Sequence, residues 1–401
     1  MLKIFYMKVS LKFITNPFFL YITSFTIVFI IYSLNWSDAY PDLSFNLKLF
    51  FIVSFLIAFS MGFLFWKSTH PDFSVIPKAR FPYFIILVII FFYLLEFIDF
   101  GGVPLLMAFS QSDFSTKEFT GIPTLHTIIS TFTLYYSVYI FQIYLSNKEK
   151  VNLFFLSVLF LPQILCVNRG PIIIVLSAMF FMYIIKHPKL KLKKFLFILL
   201  TIFVFFYLFG IAGNLRFSSS RKDPKILMKM SGSNQKLENS ILPNEYYWTY
   251  LYIISPMGNL QNAIDKAKPD PSFKNFENLV LTQITPDFIS KRITKVLGVK
   301  EDTKNYLVIR VINAPTMYSN SFILMGWPGI IILFLFSMGF VLFYIIIVSK
   351  KSVFFLSGWC ILLTIFLFST FNNMWRESAI SFQLIYPIIF SVLERKKIFL
   401  I

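Results

Sequence analysis

The chain has 401 residues, of which 57% are hydrophobic and 20% aromatic, and a mean hydropathy of +0.72. No soluble domain can hide that much apolar surface, so the composition excludes a water-soluble globular protein and indicates a polytopic membrane protein. The formal charge of +18 lies in short clusters between apolar runs, a topology signal and not the footprint of nucleic-acid binding.

In chain order, the first apolar run follows Lys3, Lys8 and Lys12 and has no small-residue cleavage site after it. It reads as a retained span and not a signal peptide. Ten spans are expected, over 14–34, 47–66, 82–98, 122–145, 151–167, 171–186, 195–212, 327–348, 353–371 and 378–394. Each is roughly long enough for a hydrocarbon core of about 30 Å. The expected fold is an all-α polytopic membrane protein with one long, partly helical outer loop. Its parts are N-terminal transmembrane helices over 1–212, a loop or lid over 213–326, and C-terminal transmembrane helices over 327–401. Cys166 and Cys360 fall in apolar runs, which argues against a disulfide or a metal site.

The short connections alternate in basic charge. The N-terminus carries Lys3, Lys8 and Lys12, and 35–46 carries none. The next connection has Lys67, Lys78 and Arg80, and 99–121 has only Lys117. Lys148 and Lys150 follow, then the turn Asn168-Arg169-Gly170-Pro171, then Lys186, Lys189, Lys191, Lys193 and Lys194. After the long loop come Lys350 and Lys351, a turn with Arg376, and Arg395, Lys396 and Lys397. The positive-inside rule places both termini in the cytoplasm, with 35–46, 99–121, 168–170, 213–326 and 372–377 outside. Six of the eight arginines (Arg169, Arg216, Arg221, Arg292, Arg310 and Arg376) are then outside, while Lys leans inside. Topology does not require outer arginines. A planar guanidinium fork that grips phosphate through paired hydrogen bonds would.

Arg169 is the leading candidate. Arginine at a helix centre in a bilayer costs roughly 2.5–3.5 kcal/mol on insertion scales. Gly170 and Pro171 are expected to break the helix and leave Arg169 at the membrane surface beside Asn168, facing an anion. The alternative is an arginine snorkelling to lipid headgroups. Arg216 after Gly213-Asn214, and Arg376 with Glu377 after Asn372-Asn373-Met374-Trp375, sit at other outer span ends; Arg376 and Glu377 could instead pair with each other or cap helices. Arg310 lies in an apolar context before the eighth span. His126, in Gly121-Ile122-Pro123-Thr124-Leu125-His126, is a general-base candidate at the outer face. Glu96 and Asp99 read as structural partners. In the long loop, Asn244–Lys266 is rich in aromatics and interrupted at Pro256-Met257-Gly258; Tyr247, Trp248 and Tyr250 could stack on sugars or pack at the interface. Thr285-Pro286-Asp287 reads as a helix start with Thr285 as N-cap. Phe288, Ile289, Ile293, Val296 and Leu297 then form the apolar face of an amphipathic surface helix. No phosphate-binding Gly-rich loop, paired Cys/His set or Ser nucleophile elbow is present in the sequence, so metal-free, cofactor-free chemistry is expected.

The series Gly101-Gly102-Val103-Pro104-Leu105-Leu106, Gly121-Ile122-Pro123-Thr124-Leu125-His126 and Asn168-Arg169-Gly170-Pro171 resembles the oligosaccharide repeat unit polymerases, the Wzy-type O-antigen polymerases. Gly213-Asn214-Leu215-Arg216, the stretch 248–260 and the stretch 313–329 fit the same pattern, so the likeness covers roughly 95–340. The resemblance implies a GT-C-like fold in a bacterial inner membrane. It also implies a metal-independent, inverting glycosyltransferase that moves a growing glycan from undecaprenyl pyrophosphate onto another lipid-linked repeat unit at the periplasmic face. Carried over by motif, Arg169 and Arg216 bind the pyrophosphate, and Arg376 joins them by topology. Beside the resemblance, the chemistry requires a base for the acceptor hydroxyl, for which His126 and Glu377 are candidates, and Asn168, Arg310, Tyr247, Trp248 and Tyr250 are candidate substrate contacts. A chain-length regulator protein is a further implied partner, besides membrane lipids. The alternatives are an O-antigen ligase and a lipid-linked oligosaccharide flippase or other transporter.

Overall fold

Asn16 opens the first long helix of a computed structural model that describes residues 8–78, 82–110, 118–221, 226–297 and 306–396. Its side-chain oxygen accepts from Phe18 N at 3.0 Å, and Pro17 occupies the first helical position, where a missing N–H is no loss. The principal helices are α1 (Pro17–Tyr32), α2 (Phe45–Leu64), α3 (Pro82–Phe100), α4 (Leu125–Asn147), α5 (Lys150–Leu165), α6 (Arg169–Lys186) and α7 (Leu192–Arg221). They continue with α8 (Tyr246–Lys266), α9 (Asp287–Leu297), α10 (Trp327–Ile347), α11 (Phe355–Phe368) and α12 (Ile385–Arg395). Among the described residues, six helices are long and apolar enough to cross a membrane: α2, the stretch Pro82–Ser110 that begins with α3, α4, α6, the part Leu192–Asn214 of α7, and α10. α1, α5 and α11 are apolar but shorter. The protein is therefore a helical, polytopic, membrane-embedded protein.

The tenth expected span is not one straight helix. Ser378–Ser381 passes through a 3-10 turn at Phe382–Leu384 before α12. Pro387 has no N–H to bond to Gln383 O, and the chain tightens one turn earlier. A second departure from the all-helical expectation is a two-stranded antiparallel ribbon, β1 (Lys8–Ser10) with β2 (Lys189–Lys191).

α11 is the most enclosed helix. Phe355 through Phe366 are all buried, and it packs on α1, α4 and α6. Lipid tails are as apolar as these side chains, so directional bonds and close packing must hold the bundle. Trp359 Nε1 donates to Thr15 O at 3.1 Å, and Tyr344 of α10 donates to Phe355 O at 2.8 Å.

The segment expected as a loop from 213 starts later, because α7 runs to Arg221. α8 then folds back against α7. A Cβ at Gly210 would lie 1.9 Å from Glu245 O, and one at Gly213 would lie 2.7 Å from the Trp248 ring, so only glycine permits this approach. Pro256 sits inside α8 without interrupting it. α1, α7 and the helix Ser319–Met325 all pack against α8, and that packing outweighs the one backbone bond proline removes. The segment expected as a loop thus contributes a buried core helix and not only a cover.

The bundle has two ends. At one, Lys186 Nζ donates to Leu145 O, Lys350 Nζ to Lys67 O at 2.9 Å, and Arg395 to Ile347 O at 2.6 Å, beside the lysine-bearing ribbon. At the other, Gln163 reaches Ser130 at 3.4 Å, Tyr386 donates to Ile128 O at 2.9 Å, and Gln261 accepts from Ser44 N at 2.9 Å. This second end carries Arg169, Arg292 and Arg376.

Candidate functional site

The site grows from the first turn of α4. Gly121 adopts φ +64°, and a Cβ there would lie 2.6 Å from the His126 ring, so glycine is required for the loop to close over the imidazole. Phe119 meets the same ring edge-on at 5.5 Å. From α3, Glu96 Oε2 and His126 Nδ1 share a hydrogen bond of 2.9 Å; with Glu96 ionised, the imidazole donates from Nδ1. Glu96 is wholly buried, its Oε1 has no partner among the described residues, and the His126 side chain is 25% exposed. The imidazole therefore bridges a closed interior and an accessible surface.

α9 lies across this corner. Arg292 stacks over Phe288 at 4.0 Å, donates to Phe288 O at 2.6 Å and donates to Thr124 Oγ1 at 2.6 Å, two residues from His126. The helix starts near the expected place, but its cap differs. Pro286 O accepts from Ser290 N at 2.9 Å, while the Thr285 hydroxyl turns back to Val280 O at 3.0 Å. The buried face of α9 also differs from the expected apolar one. Ser290 and Thr294 are buried, while Val296 and Leu297 are exposed, because the small polar side chains allow close packing.

The turn 372–377 is bound to the start of α9. Asp287 N donates to Arg376 O at 2.7 Å, Ser378 N to Asp287 Oδ1 at 3.1 Å, and Phe288 N to Ser378 Oγ at 2.8 Å. Asn373 donates to Gln283 O at 2.7 Å. Glu377 is half-buried and accepts from Asn372 at 2.9 Å. Burial, and then the Asp287 carboxylate, raise its pKa above the usual carboxylate value; Arg376, Asn372 and Lys291 oppose this without cancelling it. Burial would raise Asp287 too, but Lys291 and the two Ser378 hydrogen bonds outweigh it and leave its pKa lowered.

Arg169 is exposed at the first position of α6. The helix break before it is made upstream of Gly170-Pro171. Val167 takes φ +56°, with Asn168 N bonded to Gln163 O and Val167 N to Ile164 O, both at 2.9 Å. These are the paired bonds of a left-handed helix C-terminus. Gly170 and Pro171 instead lie in the first turn of α6, where proline lacks only an N–H that would go unbonded. A β-branched residue in that conformation is strained by about 1–2 kcal/mol. Gln163 offsets this, fixing the turn by donating to Tyr93 at 2.9 Å.

The other expected residues lie elsewhere. Tyr247, Trp248 and Tyr250 are 1%, 7% and 3% exposed, in a cluster with Trp36, Tyr40 and Leu251. Their polar atoms serve internal bonds: Tyr247 to Ser231 at 2.7 Å, Trp248 to Asn214 at 2.6 Å, and Tyr250 accepting from Trp36 N at 2.9 Å. Rings so enclosed offer no face to a sugar, which corrects that expectation. Arg310 is exposed beside Ile309 and Ile312 of the same cluster. The side chain of Arg216 lies outside the described residues, although its backbone belongs to α7. Two residues were named from sequence but not placed in the site: Glu96 read as a structural partner with no motif to mark its pairing thirty positions along the chain, and Arg292 as one cation on the polar face of a surface helix. The usable signal for Glu96 was a carboxylate inside an apolar run. No family model, no curated protein and no solved structure matches the chain.

Proposed function

We propose that the protein is a metal-independent, inverting glycosyltransferase of a bacterial inner membrane. It would polymerise surface polysaccharide by moving a growing glycan from undecaprenyl pyrophosphate onto another lipid-linked repeat unit. The observation that carries this reading is the meeting of acid–base groups and arginines at one end of the bundle. His126 with Glu96, Glu377 with its raised pKa, and Arg292 and Arg376 are linked through α9 and the turn 372–377.

In this reading ten segments cross the membrane, both termini are cytoplasmic, and the arginine-bearing end is periplasmic. The concentration of lysines at the opposite end supports that orientation. The chemistry is that of a leaving group. As the bond from the anomeric carbon to the phosphate oxygen breaks, the pyrophosphate gains negative charge, and fixed guanidinium groups stabilise it most where water is excluded. Arg169, Arg216 and Arg376 are assigned to that charge. The acceptor hydroxyl needs a base within reach, and His126 is the better oriented candidate; Glu377 is the second. Asn168 and Arg310 are retained as substrate contacts.

The test is complementation of a strain lacking its own polymerase but making the native repeat unit. Wild type is expected to restore long-chain polysaccharide, and Arg169→Lys to leave single repeats on the lipid A-core. Full-length chains from Arg169→Ala would remove Arg169 from the site. Loss of all surface glycan, single repeats included, in a strain lacking this protein would indicate a ligase or a flippase instead.

A further inference from the structure

We infer that Glu96 is a positioning residue: it fixes His126 as the Nδ1–H tautomer and stabilises the imidazolium that forms when Nε2 accepts the acceptor sugar's proton. The inference rests on the glycosyltransferase reading above and deepens it.

Glu96 is difficult to explain as structure. It lies in an apolar helix, is wholly buried, and has one oxygen with no hydrogen-bond partner among the described residues. A buried carboxylate carries a desolvation penalty that one hydrogen bond does not repay. If holding a neutral imidazole were its only purpose, glutamine would accept the same Nδ1–H bond without burying a charge. The carboxylate differs from the amide at one moment only, when the imidazole becomes a cation. The pairing then turns from a hydrogen bond between a carboxylate and a neutral ring into an ion pair in a low-dielectric interior, where it is strongest.

The surroundings match that purpose. Gly121 and Phe119 approach the ring from two further sides and confine it beside Glu96. With Nδ1 bonded inward, Nε2 is the remaining nitrogen of a side chain that keeps partial exposure. In the step itself, the acceptor hydroxyl oxygen forms a bond to the donor's anomeric carbon. The bond from that carbon to the phosphate oxygen breaks, its electron pair leaves with the lipid pyrophosphate, and the hydroxyl proton passes to His126 Nε2. Glu96 touches none of the reacting atoms.

Glu96→Gln separates this role from a structural one. In proteoliposomes with undecaprenyl pyrophosphate-linked repeat units, the variant is expected to lose about 10²–10⁴-fold in kcat with KM little changed. Its thermal unfolding midpoint should equal or exceed that of wild type. A lowered midpoint with an unchanged kcat would overturn the inference and leave Glu96 as a structural residue. Nitrogen-15 spectra of histidine-labelled protein give a readout independent of turnover. Wild type should show His126 protonated at Nδ1, and Glu96→Ala should lose that preference; protonation at Nε2 in wild type would also overturn it. Absence of any polymer from wild type would count against the glycosyltransferase reading, while the tautomer measurement would still decide the pairing.

Discussion

Glu377 shows how the corner beneath α9 links stability to proton binding. Burial, and next the charge of Asp287, raise its pKa above its ordinary value of 4.5, so the folded chain holds that proton more tightly than the unfolded chain. The stability it contributes is full below the unfolded value and is lost as pH rises through the raised one. Asp287 has a lowered pKa, so its contribution is present above its unfolded value and is lost as pH falls through the folded one. Glu377→Gln should therefore raise the thermal midpoint at about pH 7.5 and leave it unchanged at about pH 4. An equal shift at both would show that the effect is not the buried charge. Single residues were legible in sequence where polarity interrupted an apolar run, as at His126 and Arg169. Tyr247 and Trp248 were not, because aromatic richness describes a core and a sugar platform equally well. Only three-dimensional burial separates the two.

At the scale of elements, the decisive contact is the crossing of α7 and α8. Thr249 donates to Phe206 O at 3.1 Å and Tyr246 to Phe203 O at 3.2 Å, alongside the glycine contacts at 210 and 213. Gly210→Leu would drive a side chain into the Glu245 backbone, which cannot yield as a flexible side chain could. A loss of about 1–3 kcal/mol is expected, read as a lower unfolding midpoint in detergent, with Gly339→Leu, where a Cβ meets open space, as the matched control. Equal midpoints for the two variants would mean that the crossing does not hold the fold. Helix existence was largely readable from apolar runs, and helix ends less so. The extension of α7 past 212 and the continuity of α8 through Pro256 both depend on a partner helix distant in sequence. Local propensity carries no trace of that partner. The turn before Arg169 was misread for a related reason: Gly170-Pro171 is a strong local breaker signal, yet the break sits at Val167, where tertiary bonds from Gln163 sustain a conformation valine rarely adopts.

For the whole molecule, the two ends of the bundle lead to a direct accessibility test. Ile241 is fully exposed on the arginine-bearing side, and Ser349 adjoins Lys350 at the other. Ile241→Cys should react with a membrane-impermeant maleimide in intact cells with a permeabilised outer membrane, whereas Ser349→Cys should react only after the inner membrane is opened. The native Cys166 and Cys360 are buried and provide a silent background. The reverse pattern would invert the orientation. Charge counting in the short connections made the two ends legible. It could not show that the long outer segment returns a helix into the core, because α8 has the composition of an amphipathic surface helix.

Only 6% of the apolar window of α7 is covered by the rest of the chain. The helix is fastened near β2 at one end and to α8 at the other, and between these its phenylalanines and leucines face outward. Acyl chains must stand where neighbouring helices usually do. For this stretch the bilayer is a packing partner, and exchanging lipid for detergent replaces part of the protein's own interior.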